Sequence, residues 1–426
     1  MLSKKISKSL YCEYIEEIGF LITYIQDYFY DDEILWPEAL ELENRLDAYL
    51  DALELGGNLA LQCMKDLLEG DDDERTGALF SLTSIEKLEN GIETALNFFE
   101  NYDFEDFDDE DLKLCIEAFK HCQSSLFDEK IVRCLDSEKP EIYAAAIEIL
   151  TYRRGCDPKR IWPFIHNENT RIRDLAVSAL ARFGNKDAIP AIEQLAANSD
   201  DTDKQKILPH LLFLGSKSAL NDCRDCCKSN NIKSKELLHY LAMAGDISDF
   251  EIINNYINAD DMETTAIKAA GILGNVKSVP VLLEKLNSED INIADSAGKA
   301  LQMITGAGIY EPPHIPEEDD DDIKTGPDNN DIEEPVEEKI ESGSSPFEKW
   351  NTWWTENESQ FDPDIRYRYG NSYDHSLLVS TIADKESLLQ DRYDSWLELV
   401  IRTGNCVHFE PDWFVTKQIP VIQQLS

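Results

Sequence analysis

The sequence is short of positive charge. Its 426 residues hold 85 aspartates and glutamates against 40 lysines and arginines, a formal net charge of −45. Such an excess of acid disfavours nucleic-acid phosphates and anionic lipid as partners, because both repel it over long range. Long apolar runs are missing as well, none reaching the ~18 residues of a membrane span. In the opening stretch "MLSKKISKSLYCEYIEEIGFLITYI", Glu13, Glu16 and Glu17 interrupt any signal-peptide core. A cytoplasmic protein with no nucleic-acid and no membrane partner is expected. Cysteine is sparse: ten residues scattered over the chain are too few for a secreted disulfide framework, and free thiols packed in helices are expected. Catalytic signatures are absent too, with no Walker loop, dinucleotide fingerprint, HExxH or GxSxG sequence. Enzymatic activity, cofactors and a metal site are therefore not expected.

What is present is enough apolar material, 42% of residues, to build real cores. The acidity is uneven. Residues 1–141 carry 36 acids and 12 bases, a net −24, whereas residues 142–310 carry 22 and 19, a net −3. Residues 311–346 carry 14 and 2, a net −12, within a proline- and glycine-rich stretch that has the composition of a disordered linker.

Residues 182–195, "RFGNKDAIPAIEQL", resemble an amphipathic helix interrupted by Gly184 and Pro190. The preceding Ile172, Leu175, Ala176, Ala179, Leu180 and Phe183 form the stripe of a helix with one buried face. Gly184 fits a left-handed C-terminal cap, Asp187 a following N-cap, and Pro190 the first turn of a second helix. The joint recurs: Gly155, Gly184, Gly215, Gly245, Gly274 and Gly306 are spaced by 29, 31, 30, 29 and 32 residues, and Pro280 follows Gly274 as Pro190 follows Gly184. The fold class expected is mainly α, a solenoid of helix pairs of ~30 residues, since each pair leaves an apolar face for its neighbour to cover. The units resemble HEAT repeats at the short end of their range. Four regions follow: an acidic helical region at 1–141, broken near Pro37 and at Gly56-Gly57; the repeats at 142–310; the acidic linker at 311–346; and a small Trp/Arg-rich mixed module at 347–426.

Both flanks widen the resemblance. "LENRLDAYLDALELGG" near the start, with "WW", "RYRYG" and "RYDSWLELVIRTG" near the end, resembles an uncharacterised bacterial HEAT-repeat family found in type VI secretion gene neighbourhoods. Arg45, Leu46, Asp47, Leu50, Asp51 and Leu53 match its first motif; Trp353, Trp354, Arg366, Tyr367, Gly370, Arg392, Glu398 and Arg402 match its second. The chain departs at Tyr49, where the resemblance implies histidine, and at Ala52, where it implies glycine.

Candidate chemistry is thin. "CRDCC" at Cys223–Cys227 has the spacing of half a thiolate metal site, but no second pair follows and the segment falls where a repeat's second helix belongs. Cys115, His121 and Cys122 suggest a nucleophile without supplying an oxyanion hole or an orienting acid. "DFEDFDDED" concentrates Asp103, Glu105, Asp106, Asp108, Asp109, Glu110 and Asp111; with Asp108 where an EF-hand needs glycine, it reads as a solvated loop or as a docking surface for a basic partner. "DDDE", Asp71, Asp72, Asp73 and Glu74, reads likewise. Arg366 and Arg368 would share one side of an extended segment and either clamp an anion or pair internally, with Trp353 and Trp354 as core or contact residues.

The expected function is non-enzymatic protein binding. The setting implied by the resemblance makes a basic toxic effector the expected partner and an immunity protein the leading role, with an effector chaperone or adaptor, or an assembly factor of the secretion system, as alternatives.

Overall fold

The computed structural model describes residues 2–31, 34–229, 235–259, 263–311 and 346–425. Mainly α is what it contains: the strands among the described residues are a single two-residue pair, Tyr367–Arg368 with Asn371–Ser372. No described helix is long and apolar enough to cross a membrane. The linker expected at 311–346 lies outside the described residues, apart from Glu311 and Pro346. The chain divides into two compact units, one of Met1–Cys223 with Asp374–Ser426 and one of Arg224–Tyr373. Residues 347–426, read from the sequence as one module, are thus shared between them.

In the first unit the long helix Leu2–Tyr30 buries Ile15, Ile18, Ile22 and Ile25, the i, i+3, i+4 spacing of one helical face. It packs on helices Ala39–Gly56 and Asp72–Ser84. The chain breaks at Pro37, within the turn Trp36–Glu38, and at Gly57, where φ is 53°. Helices Pro140–Arg153, Thr170–Arg182 and Asp201–Leu214 then pack one on the next. The middle one buries Val177 and Ala181 besides Ile172, Ala176, Ala179 and Leu180, because neighbours cover it on two sides.

The joints explain the beat. Gly184, Gly215, Gly274 and Gly306 are left-handed, with φ between 61° and 85°. Two positions differ. At the first joint the left-handed residue is Arg154, φ 59°, and Gly155 comes one place later: Arg154 N–H donates to the Thr151 carbonyl and Gly155 N–H to that of Leu150, at 3.3 and 2.9 Å. Gly184 with Asn185, and Gly215 with Ser216, make the same pair of bonds, the Schellman closure of a helix end. Gly245 is extended, with φ −76° and ψ −173°. Asp187 is not the cap expected of it. It lies inside the 3-10 turn Lys186–Ala188, from which helix Ile189–Asn198 continues with Pro190 in its first turn.

Residues 374–426 join the first unit through helix Leu389–Thr403, which packs on Asp201–Leu214, and helix Val415–Leu425, which packs on Ala39–Gly56. Buried charges hold them. The Glu410 carboxylate, with its side chain 3% exposed, accepts from Arg154 at 2.7 Å and also from Arg182. Glu43 accepts the N–H groups of Val415 and, at 3.1 Å, Thr416, satisfying donors that a helix start leaves open. Arg392 is wholly buried, donates to the carbonyls of Ile382 and Pro411 at 3.0 and 3.3 Å, and lies 4.0 Å from the Trp36 ring centre.

In the second unit helices Glu236–Ala244, Glu263–Leu273 and Ile291–Thr305 pack in succession. The "RYRYG" segment crosses the ends of the last two. Tyr367 N–H donates to Gly274 O at 2.8 Å, and Tyr369 and Gly370 donate to the carbonyls of Met303 and Ile304 at 2.6 and 3.1 Å.

Replacing Glu410 with alanine leaves two guanidiniums without their shared carboxylate. A loss of ~3–5 kcal/mol is expected, measured as a lower urea midpoint, with faster amide exchange in Val415–Leu425.

Candidate functional site

An open cleft of about 520 Å³ lies in the first unit, lined by Glu13, Tyr14, Glu16, Glu17 and Phe20 of the first helix, Tyr49 of the second, and Asp73. The helix period creates it. Ile15, Ile18, Ile22 and Ile25 take the core side of Leu2–Tyr30, so Glu13, Glu16, Glu17 and Phe20 fall on the other. Phe20 is 48% exposed and Tyr24 is 41% exposed, and their rings stack with centroids 5.4 Å apart. Tyr14 and Tyr49 meet at 5.1 Å on the cleft wall. Tyr49 is thus a wall residue of the cleft.

Two glycines let the helices close around this cleft. A Cβ at Gly77 would lie 1.8 Å from the Ile15 carbonyl oxygen, and one at Gly19 would lie 1.9 Å from that of Asp73. Helix Asp72–Ser84 therefore approaches Leu2–Tyr30 backbone to backbone, which brings Asp73 to the cleft. Burial, followed by the charges of Asp71 and Asp72, raises the Asp73 carboxyl above its ordinary value, as expected where like charges crowd a recess. Of the four carboxylates, Glu17 has a distant cation, Arg45 at 3.5 Å. Carboxylates beside exposed aromatic faces suit a guanidinium or ammonium group, which ring faces and anions both attract.

The other sequence candidates are spread out. Asp71 caps helix Asp72–Ser84: its side chain accepts the Glu74 N–H at 3.1 Å, while Glu74 accepts the Asp71 N–H at 3.2 Å, a capping box. Asp72 is exposed in the first turn. In the 103–111 loop, Asp109 caps helix Glu110–His121 through the N–H groups of Asp111 and Leu112. Asp111 pairs with Arg75 and accepts from Tyr102, Asp108 pairs with Arg171 at 2.9 Å, and Glu110 pairs with Lys113 at 2.7 Å. Asp106 accepts the Asp108 N–H at 2.7 Å, while Asp103 and Glu105 face solvent. Much of this loop's acid thus starts a helix and binds it to its surroundings.

The aromatic and arginine candidates lie inside the second unit. Trp353 is half-buried and Trp354 buried, both against Phe361 at 6.3 and 5.5 Å. Arg366 donates to the carbonyls of Leu273 and Ile272 at 2.8 and 2.9 Å and lies 4.1 Å from the Tyr373 ring centre. Arg368, 4% exposed, reaches the Ile272 carbonyl at 3.3 Å. Both guanidiniums act on the carbonyl end of helix Glu263–Leu273, where positive charge is favoured. Gly274, next in sequence, leaves no room for a side chain, since its Cβ would meet the Tyr367 carbonyl oxygen at 2.1 Å.

The thiols are packed. Cys223 and Cys227 are buried on helix Lys217–Lys228, with Cys226 half-buried between them. Burial pushes the Cys115 thiol up to about 12 and that of Cys122 to about 11, so neither is a ready nucleophile. His121, beside Cys122, has Nε2 3.7 Å from Glu117 and its ring stacked 5.3 Å from that of Phe414.

Sequence reasoning missed the cleft's aromatic side. Part of its signal was available in Phe20, which lines the cleft and, with Tyr24 and Tyr28, puts an aromatic residue at every fourth position away from the isoleucines. No family model matches the chain, and no curated protein does. Among solved structures, an engineered protein determined by a structural genomics consortium aligns at 14% identity over 56% of this chain and 94% of its own, with a TM-score of 0.18. At that score it carries no inference about fold or role.

Gly77→Ala forces the first helix off Asp72–Ser84. A cost of at least ~1–3 kcal/mol is expected from overpacking, measured as a lower melting temperature than wild type.

Proposed function

We propose that this chain is a non-enzymatic binding protein whose acidic first unit grips a basic protein. In the type VI secretion setting implied by the resemblance, that role is immunity: it neutralises a cognate toxic effector by covering a basic surface. The acidic, aromatic-walled cleft between the first two helices and Asp73 carries this reading. Glu13, Glu16, Glu17 and Asp73 stand there beside Phe20, Tyr14 and Tyr49, on a region of net −24. The long-range field draws a cationic surface in, and the ring faces give its side chains apolar contact on arrival. In this proposal the HEAT-like helix pairs of the repeat region are the platform.

Two results test it. The full chain should co-purify with an effector encoded beside its gene, and retention should fall steeply between about 50 mM and about 500 mM salt as screening shortens the field's reach. Glu16→Lys with Glu17→Lys should weaken binding by about tenfold or more, given ~0.2–1 kcal/mol for each lost contact and added repulsion from each new charge. It should also leave cells sensitive to that effector. Salt-insensitive binding, or full protection by the double variant, would remove the cleft from the mechanism. If deletion of the gene stops secretion of every substrate, the protein is an assembly factor instead.

A further inference from the structure

A second cleft of the first unit, about 500 Å³, has a different chemistry. Lys120, Tyr152, Arg153, Trp413, Phe414 and Lys417 are among its lining residues. Its cations are nearly all committed. Lys120 bridges Glu117 and Glu148, at 2.8 Å to each. Arg153 pairs with Asp128 and donates to the carbonyls of Cys122 and Ser124, between helices Glu110–His121 and Ser125–Ile131. Lys417 is the exception. Its Nζ lies 3.6 Å from the centre of the Trp413 ring and has no hydrogen-bond or ion-pair partner among the described residues.

An unpaired lysine in a recess is unexpected in a chain with more than two acids for each base. The groups acting on it come from several elements. Desolvation and the guanidiniums of Arg153 and Arg154 disfavour the ammonium; Asp128 and Glu410 favour it, and so does the Trp413 face. Desolvation and the arginines prevail, and the amine is pushed down to about 8. Even so, Lys417 as a residue remains exposed to solvent, so a reagent can reach it. The rings of Trp413, Phe414 and Tyr152 leave apolar wall beside the amine for a short carbon chain.

We propose that Lys417 is a covalent acyl-acceptor site, taking a short acyl group from a thioester donor in this cleft. The neutral amine's lone pair attacks the thioester carbonyl carbon; the N–C bond forms, the C–S bond breaks, and the leaving thiolate takes up the proton released from nitrogen. The products are an amide and a thiol, with no change of oxidation state. Acylation removes the charge above Trp413 and places the acyl chain in the cleft. This inference is independent of the proposed partner, because the acidic cleft contributes no residue to it.

The test treats the full-length protein with S-acetyl-N-acetylcysteamine, a small acyl thioester, and maps acetylation by mass spectrometry across pH. Lys417 should acetylate at least about tenfold faster than the exposed Lys65 and Lys159 near neutral pH, since its own amine is pushed down toward that range. Its rate should rise with a midpoint near 8, and the preference should vanish in denaturing urea. The Lys417→Arg variant, folded by circular dichroism, should lose this fast phase alone. A Lys417 rate within about twofold of Lys65 and Lys159 at every pH, or a midpoint at the ordinary lysine value near 10.4, overturns the proposal.

Discussion

The first unit depends on a buried carboxylate between two arginines. Glu410 comes from the last part of the chain, and Arg154 and Arg182 come from the ends of successive helices. Ion pairs taken out of water are weak evidence of net stability, because desolvation offsets their attraction. What they constrain is placement: a carboxylate this buried has to keep its charged hydrogen-bond donors, and here those are the two guanidiniums. Glu43 and Arg392 extend the same logic. Each neutralises backbone groups that would otherwise be buried unpaired, so the terminal helices have one seat on the unit.

A single requirement recurs in both units, the satisfaction of carbonyls at helix ends. Left-handed glycines do it locally at Gly184 and Gly215. In the second unit Gly274 and Gly306 end their helices, and the "RYRYG" backbone and arginines supply further donors to the neighbouring carbonyls. Residues of the two terminal sequence motifs thus have structural duties: Arg366 and Tyr367 meet a helix end, Trp354 and Arg392 are buried, and Leu46, Leu50 and Leu53 face the core.

Helical content and the joints were legible because they depend on local chemistry. A glycine after an apolar stripe and a proline six residues on are instructions contained in one stretch of chain, and Pro190 and Pro280 sit where the pattern puts them. The displaced joint at Arg154 was not legible, since the reason for an arginine there lies 256 residues away in Glu410. Glu43 was half legible: it occupies a core position in line with Ala39, Leu46, Leu50 and Leu53, an acid where the stripe calls for an apolar residue. The acidic cleft was visible as charge but not as shape, because composition locates carboxylates on a segment without saying which share a wall with aromatic rings. Lys417 was not legible: Trp413 is four residues away, but the arginines that act on its amine, Arg153 and Arg154, are distant in sequence.

Arg154 also ties synthesis to folding. The residues that complete the first unit's core follow the entire second unit in the chain, so a ribosome delivers helix Pro140–Arg153 long before the carboxylate that its last turn awaits. Until then two guanidiniums and the apolar face that the last helices cover await their partners. Ring closure over such a span makes this assembly slow relative to its local helices, and a chain released early would expose the very surface that the finished one conceals.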